Sequence, residues 1–158
     1  EPTPDRAANT LAGAKARGWS IGLLSEIATS GVGRDSDVIV VDRVGLLATL
    51  YGVSDIAYVG GGFRETGVHS VLEPAVARCP AVFGPNHANS TAAHELLAED
   101  GAKLASNVSE LGDLVTSWFE DDALRARIAR CARQYVDAHR GAAETTAGLL
   151  HDLIRSHR

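Results

Sequence analysis

Residues 55–74 read DIAYVGGGFRETGVHSVLEP and carry the strongest indication of the fold class. Its apolar beginning, residues 55–59, predicts a short strand that is buried on both faces. Three glycines follow at positions 60–62, and a helix is predicted for residues 70–78. A buried strand that leads through a glycine-rich turn into a helix is typical of a parallel sheet covered by helices.

The same alternation of strand and helix extends in both directions from this segment. Further strands are predicted at 19–24, 37–42, 80–84 and 102–105. Further helices are predicted at 3–17, with Thr3 as cap and Gly18 as stop, and at 45–53, 89–99, 108–119, 122–139 and 141–156. The predicted fold class is therefore α/β: a Rossmann-like parallel sheet with helices on both faces, whose ligands bind at the carboxyl ends of the strands. Residues 122–158 are interpreted as a helical tail of the same domain.

Composition limits the function classes that need to be considered. The chain has 158 residues, of which 45% are hydrophobic and 22% charged, and its net charge is −5. One soluble domain is predicted, and the mild acidity argues against a nucleic-acid partner. Cys79 and Cys131 are too few for a disulfide framework and are interpreted as buried free thiols. The opening Glu1-Pro2, which lacks Met, predicts a piece of a longer protein whose first strand is missing.

The segment after the glycines supplies the candidate site. Gly61 and Gly62 would let a phosphate or ribose approach the backbone. Arg64 would either neutralise a phosphate or carboxylate or form only a solvated pair with Glu65, and the helix that follows favours an anion at its amino terminus. For Glu73 the residues leave two interpretations open: a ligand contact to sugar hydroxyls, or the far half of a capping box that begins at Ser70.

Histidines and polar residues at neighbouring strand ends complete the candidate set. His69 adjoins the glycines, so a donor role towards phosphate or carboxylate is favoured over a loop hydrogen bond. Asp42, Asn86 and His87 lie at the ends of other strands and are interpreted as a possible cleft edge. For the loop that contains His87, the start of the next helix, capped by Asn89 or Ser90, is the stronger explanation. No metal site, no cofactor and no catalytic base is predicted.

The motifs, taken in order, resemble bacterial 3-deoxy-D-manno-octulosonic acid (Kdo) transferases of the lipid A pathway. Residues 50–62 read LYGVSDIAYVGGG, 67–74 read GVHSVLEP and 80–87 read PAVFGPNH. Their order and spacing match the family over about residues 37–105.

The resemblance implies that residues 1–158 are the carboxyl-terminal, donor-binding half of a two-domain GT-B glycosyltransferase. By the resemblance, this half would bind CMP-Kdo through Gly61, Gly62, His69, Ser70 and Glu73, and the charge of Arg64 adds that residue to the predicted donor site. By the same resemblance, transfer to a lipid A precursor inverts the anomeric centre without a metal ion. The catalytic base and the acceptor contact would lie in an absent amino-terminal domain, and the whole protein would associate with the cytoplasmic face of the bacterial inner membrane.

Two departures from the family pattern affect donor specificity. Ser70 stands where the family has asparagine, and Arg43 follows Asp42 where the family has threonine. Other possibilities stay open at this level. They are another GT-B transferase, a nucleotide-sugar epimerase, and a non-catalytic nucleotide- or sugar-binding module.

Overall fold

The structure, a computed structural model, describes residues 4–156. Within them, helices and strands alternate as the sequence predicts. The helices are α1 Pro4–Lys15, α2 Leu24–Ser30, α3 Leu47–Tyr51, α4 Leu72–Val76, α5 Thr91–Ala98, α6 Val108–Glu120, α7 Asp122–Ala138 and α8 Ala142–Ser156. The strands are β1 Ile21–Leu23, β2 Val38–Val40, β3 Ala57–Val59, β4 Ala81–Phe83 and β5 Ala102–Leu104. The predicted cap Thr3 lies outside the described residues.

All strand pairs of the described residues are parallel, but they form two hydrogen-bonded groups. β1 pairs with β2, and β3, β4 and β5 pair in that order. The sequence predicts one sheet. An apolar run indicates that a strand is buried, but it does not indicate which strand is its hydrogen-bonding neighbour. The chain correspondingly divides into two compact units, the first ending at Leu47 and the second beginning at Ala48. The prediction of a missing first strand stays a prediction.

In the first unit, β1 and β2 are joined at both ends by a serine–aspartate pair. Ser20 donates its N–H (2.9 Å) and its hydroxyl (2.6 Å) to the Asp37 carboxylate before the strands. Ser25 donates its N–H (3.0 Å) and its hydroxyl (2.5 Å) to the Asp42 carboxylate after them. Each pair is 17 residues apart along the chain, so both pairs fix the register of this parallel ladder.

In the second unit, the β3–β4–β5 ladder carries helices on both faces, as predicted. Successive side chains of a strand point to opposite faces. Ala81 and Phe83 of β4 accordingly pack into one buried cluster, and Val82 packs into another. The first cluster receives side chains from α4, α5 and α7. The second receives them from α6 and α7, with Trp118 and Ile128 fully buried.

Local sequence signals explain where three helices of this unit begin. Ser90, Asn107 and Asp121 each accept a backbone N–H at the start of α5, α6 and α7. Among the helices of residues 4–156, none combines the length and the apolar character needed to cross a membrane.

Candidate functional site

The loop between β3 and α4, residues 60–71, carries most of the predicted site residues. It leaves the carboxyl end of β3, folds into a compact turn and returns beside its own beginning. The Arg64 N–H donates to the Gly61 carbonyl (2.8 Å), and the His69 N–H donates to the Gly60 carbonyl (3.0 Å). The backbone is therefore closed on itself before α4 begins.

The glycines of this loop have a packing role that the sequence interpretation did not foresee. Gly61 has φ of +93°, and a Cβ there would lie 2.1 Å from the Gly67 carbonyl oxygen. A Cβ on Gly62 would lie 2.6 Å from the backbone nitrogen of Gly84. Gly61 thus permits the turn, and Gly62 permits the loops after β3 and β4 to touch through their backbones. Close approach of a ligand to these glycines stays a prediction.

The loop after β4 is docked against the first loop. The Asn86 N–H donates to the Gly62 carbonyl at 2.8 Å. His87 donates from Nδ1 to the Pro85 carbonyl (2.7 Å), and its ring packs against the rings of Phe83 and His94. The structure therefore brings Asn86 and His87 to the same sheet edge as the glycines.

Arg64, His69, Ser70 and Glu73 are all exposed, while Val68 and Val71 between them are buried. The buried valines fix the backbone, and the polar side chains are left facing solvent. No ion pair or side-chain hydrogen bond engages these four polar residues within the part of the chain that the structure describes, so all four are available to a ligand.

The capping-box interpretation of Glu73 is wrong in this structure. The residue before α4 is Val71, which makes no side-chain cap hydrogen bond, and α4 begins at Leu72. The buried Val71 occupies the cap position, so Ser70 lies one residue too early to serve as the cap. Glu73 consequently lies in the first turn of α4, and its carboxylate makes no capping hydrogen bond there. With only five residues, α4 also contributes less of a helix dipole to anion binding than the sequence suggested.

Tyr51 is a neighbour of Glu73 that sequence reasoning missed. Burial raises the pKa of the Tyr51 phenol above its usual value, and the negative charge of Glu73 raises it further. The signal in the sequence is Tyr51 itself, which lies six positions before the start of β3 and belongs to the LYGVSDIAYVGGG motif.

Asp42 belongs to the first unit, and its carboxylate is already engaged. The hydroxyl of Ser25 is the main cause that lowers the pKa of Asp42 below its usual value. The acceptor oxygens hold the first turn of α2 in place, so the structure gives Asp42 a structural partner. Its predicted position at a cleft edge stays a prediction.

A shallow cleft of about 360 Å³ lies at the opposite, amino-terminal edge of the second unit's strands. Asp55 and Pro80, which precede β3 and β4, line it together with Asp122 and Arg125 of α7. The candidate site is therefore separate from this cleft. Within residues 4–156, no group of three or more His, Cys, Asp and Glu side chains is placed to hold a metal ion.

Comparison with known proteins confirms the resemblance to Kdo transferases. The chain is 30% identical over 119 residues to 3-deoxy-D-manno-octulosonic acid transferase of Bordetella pertussis, a match that covers 75% of the chain and 28% of that relative. It is 43% identical over 68 residues to the transferase of the same name from Aquifex aeolicus, covering 43% of the chain and 19% of the relative. The matches thus span less than a third of these curated relatives. No protein-family model matches the chain.

Among solved structures, the chain is similar to the C-terminal CMP-Kdo binding domain of WaaA from Acinetobacter baumannii. The TM-score is 0.75 at 23% identity, and the match covers 85% of this chain and 69% of that one. This similarity confirms the predicted fold class, a Rossmann-like α/β fold with parallel strands and flanking helices.

Proposed function

From the sequence relationship of this chain to Kdo transferases, which the comparisons establish, we propose that the chain is the donor-binding part of such an enzyme and holds the nucleotide of CMP-Kdo. The observation that carries the proposal is the closed loop at the carboxyl end of β3. It presents His69 and Ser70 to solvent on a fixed backbone, at the edge where α/β folds bind ligands, and the exposed Glu73 follows in the first turn of α4.

Each exposed group has a chemical task that fits a cytidine nucleotide. The Glu73 carboxylate accepts hydrogen bonds from the two ribose hydroxyls, since it has no other partner and bears a full charge. His69 and Ser70 donate to the phosphate or to the sugar carboxylate. The guanidinium of Arg64 adds positive charge at the loop's outer turn.

The remaining parts of the reaction are assigned to the rest of the protein. Transfer to a lipid A precursor, with inversion and without a metal ion, needs a base and an acceptor surface that these site residues do not supply. We place both in an amino-terminal domain, and we place the whole enzyme at the cytoplasmic face of the inner membrane. We accordingly expect the 158-residue chain to bind nucleotide without transferring Kdo.

The test is calorimetric titration of the chain with CMP, with UMP, UDP and GDP for comparison. CMP is expected to bind most tightly. Glu73→Gln keeps the shape of the side chain and removes its charge, so affinity for CMP should fall about ten- to a hundredfold. Its melting temperature should stay unchanged, because Glu73 makes no cap bond.

Glu65→Gln is the matched control. Glu65 is an exposed carboxylate of the loop that leads into α4, and we assign it no ligand contact. Equal losses of affinity in the two variants would mean that CMP senses only the net charge of the loop. Absence of CMP binding by the unmodified chain would contradict the proposed function itself.

A further inference from the structure

The Asn89 side chain joins the loop after β4 to the loop after β3. Its Oδ1 accepts the Val68 N–H (3.1 Å), and its Nδ2 donates to the Val68 carbonyl (2.9 Å). One amide therefore satisfies both backbone groups of a single residue, as a neighbouring strand would do. The two residues are 21 positions apart in the chain.

The loop is shaped to receive this amide. Gly67 has φ of +82°, and a Cβ there would lie 2.3 Å from Oδ1 of Asn89. The amide thus lies directly against the backbone of Gly67 while it bonds Val68. Any side chain at position 67 would push Asn89 away from its two partners.

Asn89 is itself held by a helix. The next residue, Ser90, is the cap of α5, and its hydroxyl oxygen accepts the Ala93 N–H at 3.2 Å. The position of the amide is therefore set by the first turn of an eight-residue helix that packs into the core. The two hydrogen bonds between Asn89 and Val68 thus form a clamp between a helix and a closed loop. Neither side of this Asn89–Val68 clamp has much freedom to move.

We infer that Asn89 is a positioning residue for the nucleotide site: by fixing Val68, it sets where the next two residues, His69 and Ser70, present their side chains. This inference rests on the proposed function, since it assigns the clamp a task in nucleotide binding. Only asparagine has the required reach together with a donor and an acceptor. Aspartate lacks the donor, serine is too short, and glutamine is one methylene longer.

The test replaces Asn89 by aspartate, which keeps the size and the acceptor and removes the donor. A carboxylate facing the Val68 carbonyl oxygen opens the clamp at neutral pH. We expect CMP affinity to fall about tenfold and the amide exchange of Val68 and His69 to accelerate by about the same factor. Exchange elsewhere in the second unit should stay as in the unmodified chain.

Asp121→Ala serves as the control for a general loss of stability. It removes a cap hydrogen bond of similar kind, from the Leu124 N–H to Asp121 Oδ1 (2.8 Å), at the start of α7. The adjacent Asp122 lines the cleft at the opposite edge of the strands. This variant should melt earlier and bind CMP with unchanged affinity.

The outcomes separate the two proposals. Unchanged exchange at Val68 and His69 in Asn89→Asp, or unchanged CMP affinity with faster exchange, would overturn the positioning role. Equal loss of affinity in Asn89→Asp and Asp121→Ala would also overturn it. If the unmodified chain binds no CMP, the proposed function fails and the nucleotide-positioning role fails with it. A localised acceleration of exchange would then show a clamp of purely structural importance.

Discussion

Alanine substitutions at Gly62 and Gly60 are expected to have opposite effects, although the two glycines lie two positions apart. A Cβ on Gly62 would lie 2.6 Å from the Gly84 nitrogen and 2.9 Å from its Cα, so backbone must move. Overpacking of this kind costs about 1–3 kcal/mol. Displacement also breaks the bond from the Asn86 N–H to the Gly62 carbonyl, which adds about 1 kcal/mol. We therefore expect Gly62→Ala to lower the free energy of unfolding by about 2–4 kcal/mol.

Gly60→Ala meets no such obstacle. Its Cβ would lie 3.6 Å from Cδ2 of His69, an ordinary contact. Alanine has less conformational freedom than glycine in the unfolded chain. Gly60→Ala should therefore raise the free energy of unfolding by up to about 1 kcal/mol.

Urea unfolding followed by the fluorescence of the buried Trp118 measures both variants. A Trp19→Phe background removes the signal of the first unit, because the chain has two tryptophans. Similar midpoint shifts for Gly60→Ala and Gly62→Ala would refute the argument that backbone contact with Gly84 makes Gly62 necessary.

Three further predictions concern groups outside the loop. Tyr135→Phe removes the bond from the phenol to Glu95 (2.5 Å) between α7 and α5, and urea unfolding should show a loss of about 1 kcal/mol. The Ser25 hydroxyl lowers the pKa of Asp42 in the folded state. The ionised Asp42 therefore stabilises the fold above about pH 3.8, and this stabilisation is lost as the pH falls through the lowered pKa of the folded state. Acid titration by circular dichroism should show this dependence, and Ser25→Ala should weaken it. Burial raises the pKa of Cys79 to about 11, and its thiol should react with Ellman's reagent about a hundredfold more slowly in the native than in the denatured chain.

The order of strands, turns and helices was predictable from the sequence alone. Apolar runs such as residues 37–42 and 80–84, and stop signals such as Gly18, depend on residues that are neighbours in the chain. The shortened strands and the late start of α4 were not predictable in this way. The burial of Val71 is a tertiary property, and it outweighed a good local capping pattern at Ser70.

The location of the candidate site was also predicted from the sequence, through the order of its motifs. The contacts that hold its loops together were not predicted. The Asn89–Val68 clamp and the contact of Gly62 with Gly84 join residues about 20 positions apart. The bond from Arg133 to the Val76 carbonyl (2.9 Å), which holds the end of α4, joins residues 57 positions apart. Sequence determined which groups are present and how each short segment folds, because those choices are local. Only tertiary structure decided which backbone atoms meet, because such contacts depend on how separate elements pack across the sheet.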